Sequence, residues 1–511
     1  MSTMSTDSVI IGVDIGTSVT KAVAFGRDGR AVASASRPSR LNRLSGGRVE
    51  QDLEDVLRTV GEVCREVAAA LPVPPAALAL TGQGDGLWLR DAAGRAVRPP
   101  ISWMDGRAGA TVARWREDGT LRTLYALTGS GVFPGCHAPL LAWLAEHEPE
   151  SLERAEVAGY CVDAVAQRLT GVIGVDAADA SLPFLDVTTR AYVPRALEVC
   201  GVAGYARLLP PPAAPDAVAR LDRAGARLLG LPAGLPVTAG PYDLPACAIG
   251  SGVREAGDGL LIVGTTLASQ VLTDSVRIDP DGDPAGMWLC TPDPDRWLRA
   301  MPAMVGTAAL EWVLEFTGAT TAELDAILEA APPGANGVTA LPFLSGAGER
   351  APFVEPAARG RLDGLTLAAT RADAVRAVCE SIAYAARHCL EAAGLSASLA
   401  LCGGGTRSTA WARLFADVIG RPVRIPDEPE VGARGAVAVA WRCLGAPVDA
   451  ERWRADSRTV EPRADLRGVF EDGYAGYRAR LGEALAGWRA TGPRSRARAT
   501  GPRSRANSGT H

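Results

Sequence analysis

The stretch VIIGVDIGTSVTKAVAFGRDGR, residues 9–30, decides the fold of this chain. Residues 9–13 are mostly β-branched, which predicts a buried strand, and residues 20–25 predict a returning strand. Between them the hairpin tip offers one carboxylate, small turn-forming residues and two hydroxyls. Carboxylate, hydroxyl and backbone N–H groups are what a nucleoside triphosphate and its Mg²⁺ require. We therefore predict a phosphate-binding hairpin made by Asp14, Gly16, Thr17 and Ser18.

Lys21 lies directly beside this tip. The chain has 53 Lys plus Arg residues, and Lys21 is its only lysine. An ammonium group kept only at this place favours a point-charge role toward phosphate. The alternative is that one lysine persists here without a function.

Length and composition limit the classes of protein that the chain can belong to. A chain of 511 residues is too long for one hydrophobic core, which predicts at least two domains. The net charge of −5 argues against nucleic acid as the main partner. The opening MSTMSTDSV lacks the features of a signal peptide, and no apolar run approaches the roughly 20 residues of a membrane helix. The ten scattered cysteines show no metal-ligand spacing and indicate a reducing compartment, so we expect a cytoplasmic protein without membrane contact.

Two loops of the first half carry polar side chains suited to a hydroxylated ligand. A predicted strand at residues 76–80 leads into the loop TGQGDG, which contains Gln83 and Asp85. Residues 101–107, ISWMDGR, place the indole of Trp103, the carboxylate of Asp105 and the guanidinium of Arg107 within five positions. A ring face covers C–H surface, and charged groups bind hydroxyls. The alternative is a helix N-terminus with Asp105 as cap and Arg107 in a surface ion pair.

Asp243 follows a predicted strand at residues 235–240 and precedes a small-residue helix. A carboxylate at such a turn can be exposed as a general base on a rigid support. Helix capping by the same side chain is the alternative. Upstream, Asp176, Asp179 and Ser181 fall in a turn-rich stretch.

The second half repeats the pattern of the first after a predicted boundary at residues 252–258. Residues 259–266, GLLIVGTT, again place Gly and two hydroxyls after an apolar strand, here as Gly264, Thr265 and Thr266. This weak repetition predicts two related domains that each contribute a hairpin to one cleft. A strand at 399–402 leads into GGGTRS, and glycines at such a turn allow close approach to a base or phosphate. A purely steric role of these glycines is the alternative.

These motifs, taken in order, resemble those of the FGGY family of carbohydrate kinases, within the actin–hexokinase ATPase superfamily. The resemblance rests on several stretches that cover nearly the whole chain. They are GVDIGTSVTKA at 12–22, WMDGRA at 103–108, LTG with DAADAS at 169–181, AGPYD at 239–243, VGTT at 263–266, GERAP at 348–352 and LCGGGTRSTAW with ADVIGRPV at 401–423.

The resemblance implies an α/β fold of two ribonuclease H-like domains, of the actin/hexokinase type, with a cleft between them. We expect an N-terminal domain at 1–252, a nucleotide-binding domain at 253–489 and a disordered Arg/Gly/Pro/Ser-rich tail at 490–511. The resemblance implies ATP and Mg²⁺ as cofactors, a small sugar or polyol as substrate, and Asp243 as the base. We also expect a homodimer. The cofactor-binding residues implied are Asp14 (also for the metal), Gly16, Thr17, Ser18, Lys21, Gly264, Thr265, Thr266, Gly403, Gly404, Gly405 and Ser408.

The same loops indicate the substrate class. Glycerol kinases of the family carry Arg-Glu where this chain has Gly84-Asp85, and bacterial xylulose kinases usually carry Met-His-Gly at residues 83–85. The loops look most like those of erythritol kinases and L-xylulose-type kinases. We therefore expect a four- or five-carbon polyol or ketose, phosphorylated at a terminal hydroxyl, with D-xylulose, D-ribulose or glycerol as alternatives. Its pocket would be lined by Gln83, Asp85, Trp103, Asp105, Arg107 and Asp243.

Two other classes of function stay open from the sequence. A non-catalytic regulatory protein of the same fold would bind nucleotide without sugar-dependent ADP release. A chaperone-like ATPase would act on a protein partner. The presence of Asp243 and both Gly-Thr turns speaks against the first, and the polar set around Trp103 favours a small ligand over the second.

Overall fold

A computed structural model describes residues 8–491 of the chain. The predicted disordered tail at 490–511 lies almost entirely outside the described residues, as do residues 1–7. Among residues 8–491, no helix combines the length and the apolar composition needed to cross a bilayer. All ten cysteines are free thiols.

The first segment of the chain contains a mixed sheet with helices around it. Its strands are β1 (Val9–Ile15), β2 (Val19–Gly26), β3 (Ala31–Pro38), β4 (Asn42–Arg43), β5 (Val49–Glu50), β6 (Ala77–Gly82), β7 (Trp88–Arg90), β8 (Val157–Gly159), β9 (Leu185–Asp186), β10 (Ala191–Tyr192), β11 (Ala219–Arg220) and β12 (Pro236–Ala239). Its helices are α1 (Leu53–Ala69), α2 (Gly109–Glu117), α3 (Thr120–Thr128), α4 (His137–His147), α5 (Pro149–Arg154), α6 (Cys161–Thr170), α7 (Ala177–Ala180), α8 (Pro194–Val199), α9 (Arg223–Leu229) and α10 (Asp243–Gly250).

The second segment contains another mixed sheet. Its strands are β13 (Gly259–Val263), β14 (Leu267–Thr273), β15 (Met287–Cys290), β16 (Trp297–Pro302), β17 (Thr339–Leu341), β18 (Arg361–Asp363), β19 (Leu399–Cys402), β20 (Val423–Pro426) and β21 (Ser457–Val460). Its helices are α11 (Thr307–Thr317), α12 (Leu324–Ala330), α13 (Arg371–Ala393), α14 (Thr409–Ile419), α15 (Val431–Cys443), α16 (Ala450–Ala455) and α17 (Arg467–Thr491). Short 3₁₀ turns lie at Ser45–Gly47, Ala203–Leu208, Thr321–Glu323, Ala335–Gly337, Gly404–Arg407 and Ala464–Leu466.

The two large sheets share one topology, which confirms the repetition predicted from the sequence. The first has the strand order β11-β12-β6-β1-β2-β3, and the second has the order β15-β16-β14-β13-β19-β20-β21. In both, a hairpin leads the sheet, and a later strand pairs in parallel with its first strand and with a further parallel strand. Strand β6 lies between β1 and β12 in one sheet, and β19 lies between β13 and β20 in the other. The order is the α/β fold of two related domains that the resemblance implied.

The strands of the leading hairpin are apolar on both sides because the first sheet is covered on both faces. Alternate residues of β1, such as Ile11 and Val13, pack with α1 and α6, whereas Ile10 packs with α15. Strands buried on both faces are expected to be apolar throughout. Helix α1 is capped by Asp52, whose side chain accepts the N–H groups of Glu54 and Asp55.

Helix α15 belongs to the second segment in sequence but packs on the first sheet. Its apolar residues share one cluster with β1, β2 and β6, and Trp453 completes that cluster. The predicted boundary at 252/253 thus separates the two sheets but not the packing of this helix. The sequence did not indicate this contact, because α15 has the same Ala-rich pattern whichever sheet it covers.

Candidate active site

Three parallel strands of the first sheet end side by side and carry most of the predicted site. Strands β12, β6 and β1 are neighbours, so the segments that follow them emerge at one edge. The Gln83 N–H donates to the Ile15 carbonyl at 3.1 Å, and the Gly240 N–H donates to the Leu80 carbonyl at 2.9 Å. The structure therefore brings together the hairpin tip, the loop after β6 and the turn into α10. The site residues at this edge are Asp14, Gly16, Thr17, Ser18, Gln83, Asp85 and Asp243.

Asp14 lies where this edge meets the second segment. Burial raises the pKa of its carboxyl to about 6. The charge of Lys21 lowers this pKa, and the charge of Glu430 raises it. A Cβ on Gly432 of α15 would lie 2.8 Å from Asp14 Oδ2, so only glycine fits against the carboxylate there. The carboxylate is thus half-buried and is approached closely by the backbone of the second segment.

Lys21 is engaged by a carboxylate in this structure. Its Nζ donates to Oε1 and Oε2 of Glu430 at 2.9 and 2.7 Å. The ion pair joins β2 to the residue before α15, across 409 positions of sequence. A contact between Lys21 and phosphate stays a prediction, since the charge of the ammonium is already matched by Glu430.

Asp243 is the first residue of α10 and lies close to two other carboxyl groups. Burial raises the pKa of Asp243 to about 8, and Asp14 and Asp85 raise it further, against a backbone hydrogen bond at Leu244 that lowers it. Tyr242 is the residue before the helix, and no side-chain hydrogen bond caps the helix. The alternative of a capping role for Asp243 is therefore not observed. A half-buried carboxylate with a raised pKa is suited to accept a proton near neutral pH.

The turn into α10 depends on Gly240. Its φ of +99° is a backbone conformation that glycine adopts freely, and a Cβ there would lie 2.4 Å from Cβ of Asp176. The chain thereby turns sharply between β12 and α10. This turn fixes the carboxylate of Asp243 at the sheet edge.

A chain of hydrogen bonds joins the phosphate hairpin to the two predicted sugar loops. The Trp103 Nε1–H donates to Thr17 Oγ1 at 2.8 Å, and the Thr17 hydroxyl donates to Gln83 Oε1 at 3.1 Å. Gln83 Nε2 in turn lies 3.7 Å from the Sγ of Cys161. The hydroxyl of Thr17 therefore orients Trp103 and Gln83 in addition to lying at the hairpin tip.

Two acidic side chains, Asp85 in the loop after β6 and Asp179 close to that loop, have buried oxygens without a hydrogen-bond partner among the described residues. Burial raises the pKa of Asp85 to about 7, against Arg350 and the Cys136 thiol, which lower it. Burial likewise raises the pKa of Asp179 well above its usual value. Within residues 8–491, Oδ1 of each has no hydrogen-bond partner, and a Cβ on Gly84 would lie 3.1 Å from Asp179 Oδ1. Both carboxyls can therefore interact with hydroxyl groups of a ligand beside the loop.

Asp105 and Arg107 form a buried ionic network beside the pocket. Arg107 donates to both oxygens of Asp105 at 2.9 Å and to Glu50 Oε1 at 2.7 Å. The second oxygen of Asp105 also accepts the Val49 N–H at 2.6 Å, and the guanidinium lies 5.2 Å from the Trp143 ring. Neither a helix cap nor a surface ion pair is observed. The network fixes the loop that carries Trp103, and a direct contact of either side chain with ligand stays a prediction.

The corresponding edge of the second sheet carries the other predicted turns. Strands β13 and β19 are parallel, with Ile262 opposite Cys402, so residues 264–266 and 403–405 emerge side by side. Thr265 and Gly404 are exposed, and no atom lies within 4 Å of a Cβ placed on Gly404. A flat ligand group can therefore approach the backbone here.

Ser408 has a structural role in this turn. It is the N-cap of α14, accepts the Trp411 N–H at 3.0 Å and hydrogen bonds to Asp325. The residue was predicted to bind the cofactor. The structure places it at the end of the glycine turn with its hydroxyl already in use.

Helices α10 and α15 connect the two edges. A Cβ on Gly250 would lie 1.9 Å from the Val431 carbonyl oxygen, and one on Gly435 would lie 1.8 Å from that of Ala246, so the helix backbones touch. Burial is the main cause that raises the pKa of the Cys247 thiol on α10 well above its usual value. The charges of four nearby groups raise it further: Cys402, Asp14, Asp243 and Glu430. The end of β19 and the carboxylates of the first sheet thus surround one side chain.

Sequence reasoning missed Glu430 and gave no role to Asp179 or Arg350. Glu430 precedes α15 as Tyr242 precedes α10, so the internal repetition could have pointed to it. Asp179 lies in the DAADAS stretch, which was noted as turn-rich and as part of the family resemblance but was given no role. Arg350 lies in the GERAP stretch of the resemblance, but nothing local indicates that its guanidinium packs on Phe133 of the first segment.

Comparison with known proteins gives matches along nearly the whole chain. Residues 9–250 match the family model of the N-terminal domain of the FGGY family of carbohydrate kinases, and residues 260–443 match that of its C-terminal domain. The chain is 32% identical to erythritol kinase of Brucella abortus, covering 86% of this chain and 88% of that protein. It is 33% identical to xylulose kinase of Streptomyces rubiginosus, covering 91% of this chain and 96% of that protein.

Solved structures share the fold. The crystal structure of xylulose kinase from Rhodospirillum rubrum superposes with a TM-score of 0.83 at 27% identity, covering 94% of this chain and 100% of that chain. The two sheets and the helices between them therefore lie within one shared architecture.

Proposed function

The chain belongs to the FGGY family of carbohydrate kinases and is an ATP-dependent sugar or polyol kinase, and we propose that its substrate is a four- or five-carbon polyol or ketose. Erythritol and a pentulose such as L-xylulose are the favoured candidates. Phosphoryl transfer goes to a terminal hydroxyl, with Asp243 as the general base.

The position of Asp243 is the observation that carries this proposal. It lies at the start of α10, between the edge that holds Asp14 and the loop that holds Asp85, and both carboxylates act on its pKa. A hydroxyl bound beside Asp85 and a phosphate bound beside Asp14 would meet at this carboxylate. Phosphoryl transfer depends chiefly on such positioning and on neutralisation of charge.

Asp14 fits the role of a Mg²⁺ ligand. Mg²⁺ in kinases is held by one or two carboxylates together with substrate phosphates and water. Among residues 8–491, no group of three or more acidic, His or Cys side chains forms a metal cage, which suits a metal held largely by the nucleotide. Burial raises the pKa of Asp14 even though the charge of Lys21 opposes it, and a divalent cation bound there would favour the ionised carboxylate further. When bound, Mg²⁺ would neutralise charge on the transferred phosphoryl group.

Different residues of the chain bind the substrate, accept the proton and bind the nucleotide. Trp103 and Gln83, oriented by Thr17, hold the carbon chain of the substrate, and Asp85 accepts a hydrogen bond from a hydroxyl. The terminal hydroxyl would then lie at Asp243, which would accept its proton as the oxygen bonds to the γ-phosphorus. The bond from that phosphorus to the β–γ bridging oxygen would break, and ADP would leave. The backbone of residues 264–266 and 403–405 binds the nucleotide on the opposite edge. A base of this kind contributes about 10²- to 10⁴-fold to the rate.

The charge of the pocket supports a neutral substrate. Asp85, Asp179 and Asp243 all face or border the loop after β6, and two of them have unpartnered oxygens. Carboxyl groups exchange hydrogen bonds with hydroxyls, whereas the negative charge of a carboxylated or phosphorylated sugar would raise the pKa values of these groups further and disfavour the ionised Asp243 that the reaction requires. The name of the Brucella abortus relative, erythritol kinase, agrees with a neutral polyol.

A coupled assay of ADP release tests the proposal. The purified protein is supplied with MgATP and, in turn, with erythritol, L-xylulose, D-xylulose, D-ribulose, xylitol, glycerol and gluconate. We expect the largest stimulation with a neutral four- or five-carbon compound and none with gluconate. Preference for gluconate would contradict the proposed substrate class, and equal ADP release with and without every compound would contradict the proposed reaction.

A further inference from the structure

Loop 129–136 connects the proposed sugar pocket to the edge of the second sheet. On one side, the Gly131 N–H donates to the Gly286 carbonyl at 2.7 Å. On the other side, the Gly86 N–H donates to the Gly135 carbonyl at 3.0 Å. A Cβ on Gly135 would lie 1.7 Å from the Trp103 carbonyl oxygen, so the loop also touches the segment that carries the indole. A displacement of the second sheet would therefore reach the sugar pocket through this loop.

Arg350 is the cation at which the second segment meets this loop. Its Nε donates to the Pro302 carbonyl at 3.0 Å, which ties the side chain to the end of β16. Its guanidinium carbon lies 4.4 Å from the centroid of the Phe133 ring, a close cation–π contact. The Phe133 N–H in turn lies 3.3 Å from the Sγ of Cys136, the thiol beside Asp85. One contact chain therefore runs from the second sheet to the acidic loop.

Arg350 also supplies positive charge to an acidic pocket. The charged and titratable groups whose electrostatic effects link them to Asp85 are Cys136, Tyr160, Asp179, Tyr242, Asp243 and Arg350. Of these described groups, Arg350 alone is a cation. Burial raises the pKa of Asp85 to about 7, and the charge of Arg350 opposes that effect.

We propose that Arg350 is a positioning residue for the sugar: from the second segment it fixes loop 129–136 through Phe133 and supplies the positive charge that Asp85 faces. The inference rests on the proposed function, because it takes Asp85 as a residue that binds a substrate hydroxyl. It adds that the sugar pocket is complete only when the second segment is docked. Arg350 acts through Asp85 and the loop, without a contact to the reacting atoms.

Kinetics of Arg350→Met, Arg350→Lys and Phe133→Leu test the proposal. With the polyol or ketose that the wild type phosphorylates best, we expect Arg350→Met to raise KM for that substrate about tenfold, with KM for ATP changed less than about twofold. The acidic limb of 1/KM for that substrate follows Asp85, which binds the substrate, whereas kcat follows the base Asp243. This limb of 1/KM should move to higher pH by about 0.5–1 unit, since an opposing charge is lost. Arg350→Lys keeps the charge and should restore the limb. Phe133→Leu should raise KM without moving it.

Arg299→Met is the matched control. Arg299 is buried at the same junction, donates to the Tyr125 hydroxyl at 2.8 Å and stacks on the Trp288 ring at 5.3 Å. Its charge is not among those that act on Asp85. If Arg299→Met moves the acidic limb as far as Arg350→Met does, or if neither moves it, the proposed role of Arg350 is wrong.

Thermal unfolding separates this proposal from the proposed function. At pH 8, Arg350→Met should lower Tm in the wild-type background and lower it by less than half as much in Asp85→Asn, because the carboxylate that it faces is gone. Equal losses in both backgrounds would overturn the inference even in an active kinase. If the losses in Tm are unequal but the protein phosphorylates no polyol or ketose, the coupling between Arg350 and Asp85 is supported and the proposed substrate class is wrong.

Discussion

Replacing Asp243 by Asn should remove turnover and at the same time stabilise the protein. The pKa of Asp243 rises from 3.8 to about 8, so its ionised form is disfavoured in the folded state. A folded-state pKa above the unfolded value means that stability is lost as the pH rises from about 4 to about 8. At about 1.4 kcal/mol for each pKa unit, the upper limit is about 6 kcal/mol. Because the carboxylate borders solvent, we expect a gain of about 1–3 kcal/mol at pH 9.

The assay is thermal unfolding at pH 9 and pH 5, together with turnover and nucleotide binding. The gain in Tm should be about 2–6 °C at pH 9 and about a third of that at pH 5, where little of the penalty has developed. The rate of phosphoryl transfer should fall about 10²- to 10⁴-fold, and Kd for ATP should change less than about threefold.

The exposed Asp472 provides a matched control for the same chemical change. Asp472→Asn should leave turnover unchanged and shift stability by less than about 0.5 kcal/mol. A destabilised Asp243→Asn at pH 9 would refute the electrostatic reasoning. Full turnover of Asp243→Asn would move the role of the base to another residue.

Three further results are expected from the geometry of the site. With ionised Asp243 required, kcat/KM for the polyol should rise as the pH increases from 6 to about 9, with its midpoint near pH 8, and then level off; a fall over that range would contradict the role. Gln83→Leu should raise KM for the polyol about tenfold, since a hydrogen-bonded group of the pocket is lost, and leave KM for ATP nearly unchanged. Gly432→Ala should reduce kcat at least about tenfold because its Cβ would press on Asp14, whereas Gly468→Ala, with nothing within 4 Å, should be silent; equal activity of the two variants would show that the fit against Asp14 is unimportant.

The elements that sequence predicted well are those whose pattern is local. The β-branched run at residues 9–13 and the hydroxyl-bearing turn after it fix a hairpin, and the structure pairs Asp14 with Lys21 across it. The same pattern at residues 259–266 predicted the second hairpin, and the shared strand order confirms that the two sheets are related. Helix α14 is bounded by signals that are local in the sequence, because Ser408 caps it and Gly420 ends it.

The parts that sequence could not predict depend on partners distant in the chain. Lys21 looks like a free phosphate-binding cation until Glu430, 409 positions away, is placed beside it. Asp105 and Arg107 were predicted to line the sugar pocket, and the sequence does not indicate that Glu50 joins them in a buried network. In both cases the residue type restricts the chemistry to charge pairing, and only the fold decides which partner is present.

The packing of α15 on the first sheet has the same origin. Small residues on α10 and α15 let the two helix backbones touch, but their spacing alone does not say which helices meet. The fold therefore joins each sheet to a helix from the other segment. This exchange is what places Glu430 and Gly432 beside Asp14.

Transfer of label from γ-³²P-ATP tests the central claim most directly. In a single turnover with excess enzyme and the best polyol or ketose, the wild type should place the label on a terminal hydroxyl of that compound. Under the same conditions, Asp243→Asn should bind the nucleotide and leave the label on ATP. Label released only as inorganic phosphate from the wild type, or transferred equally well by Asp243→Asn, would contradict the account.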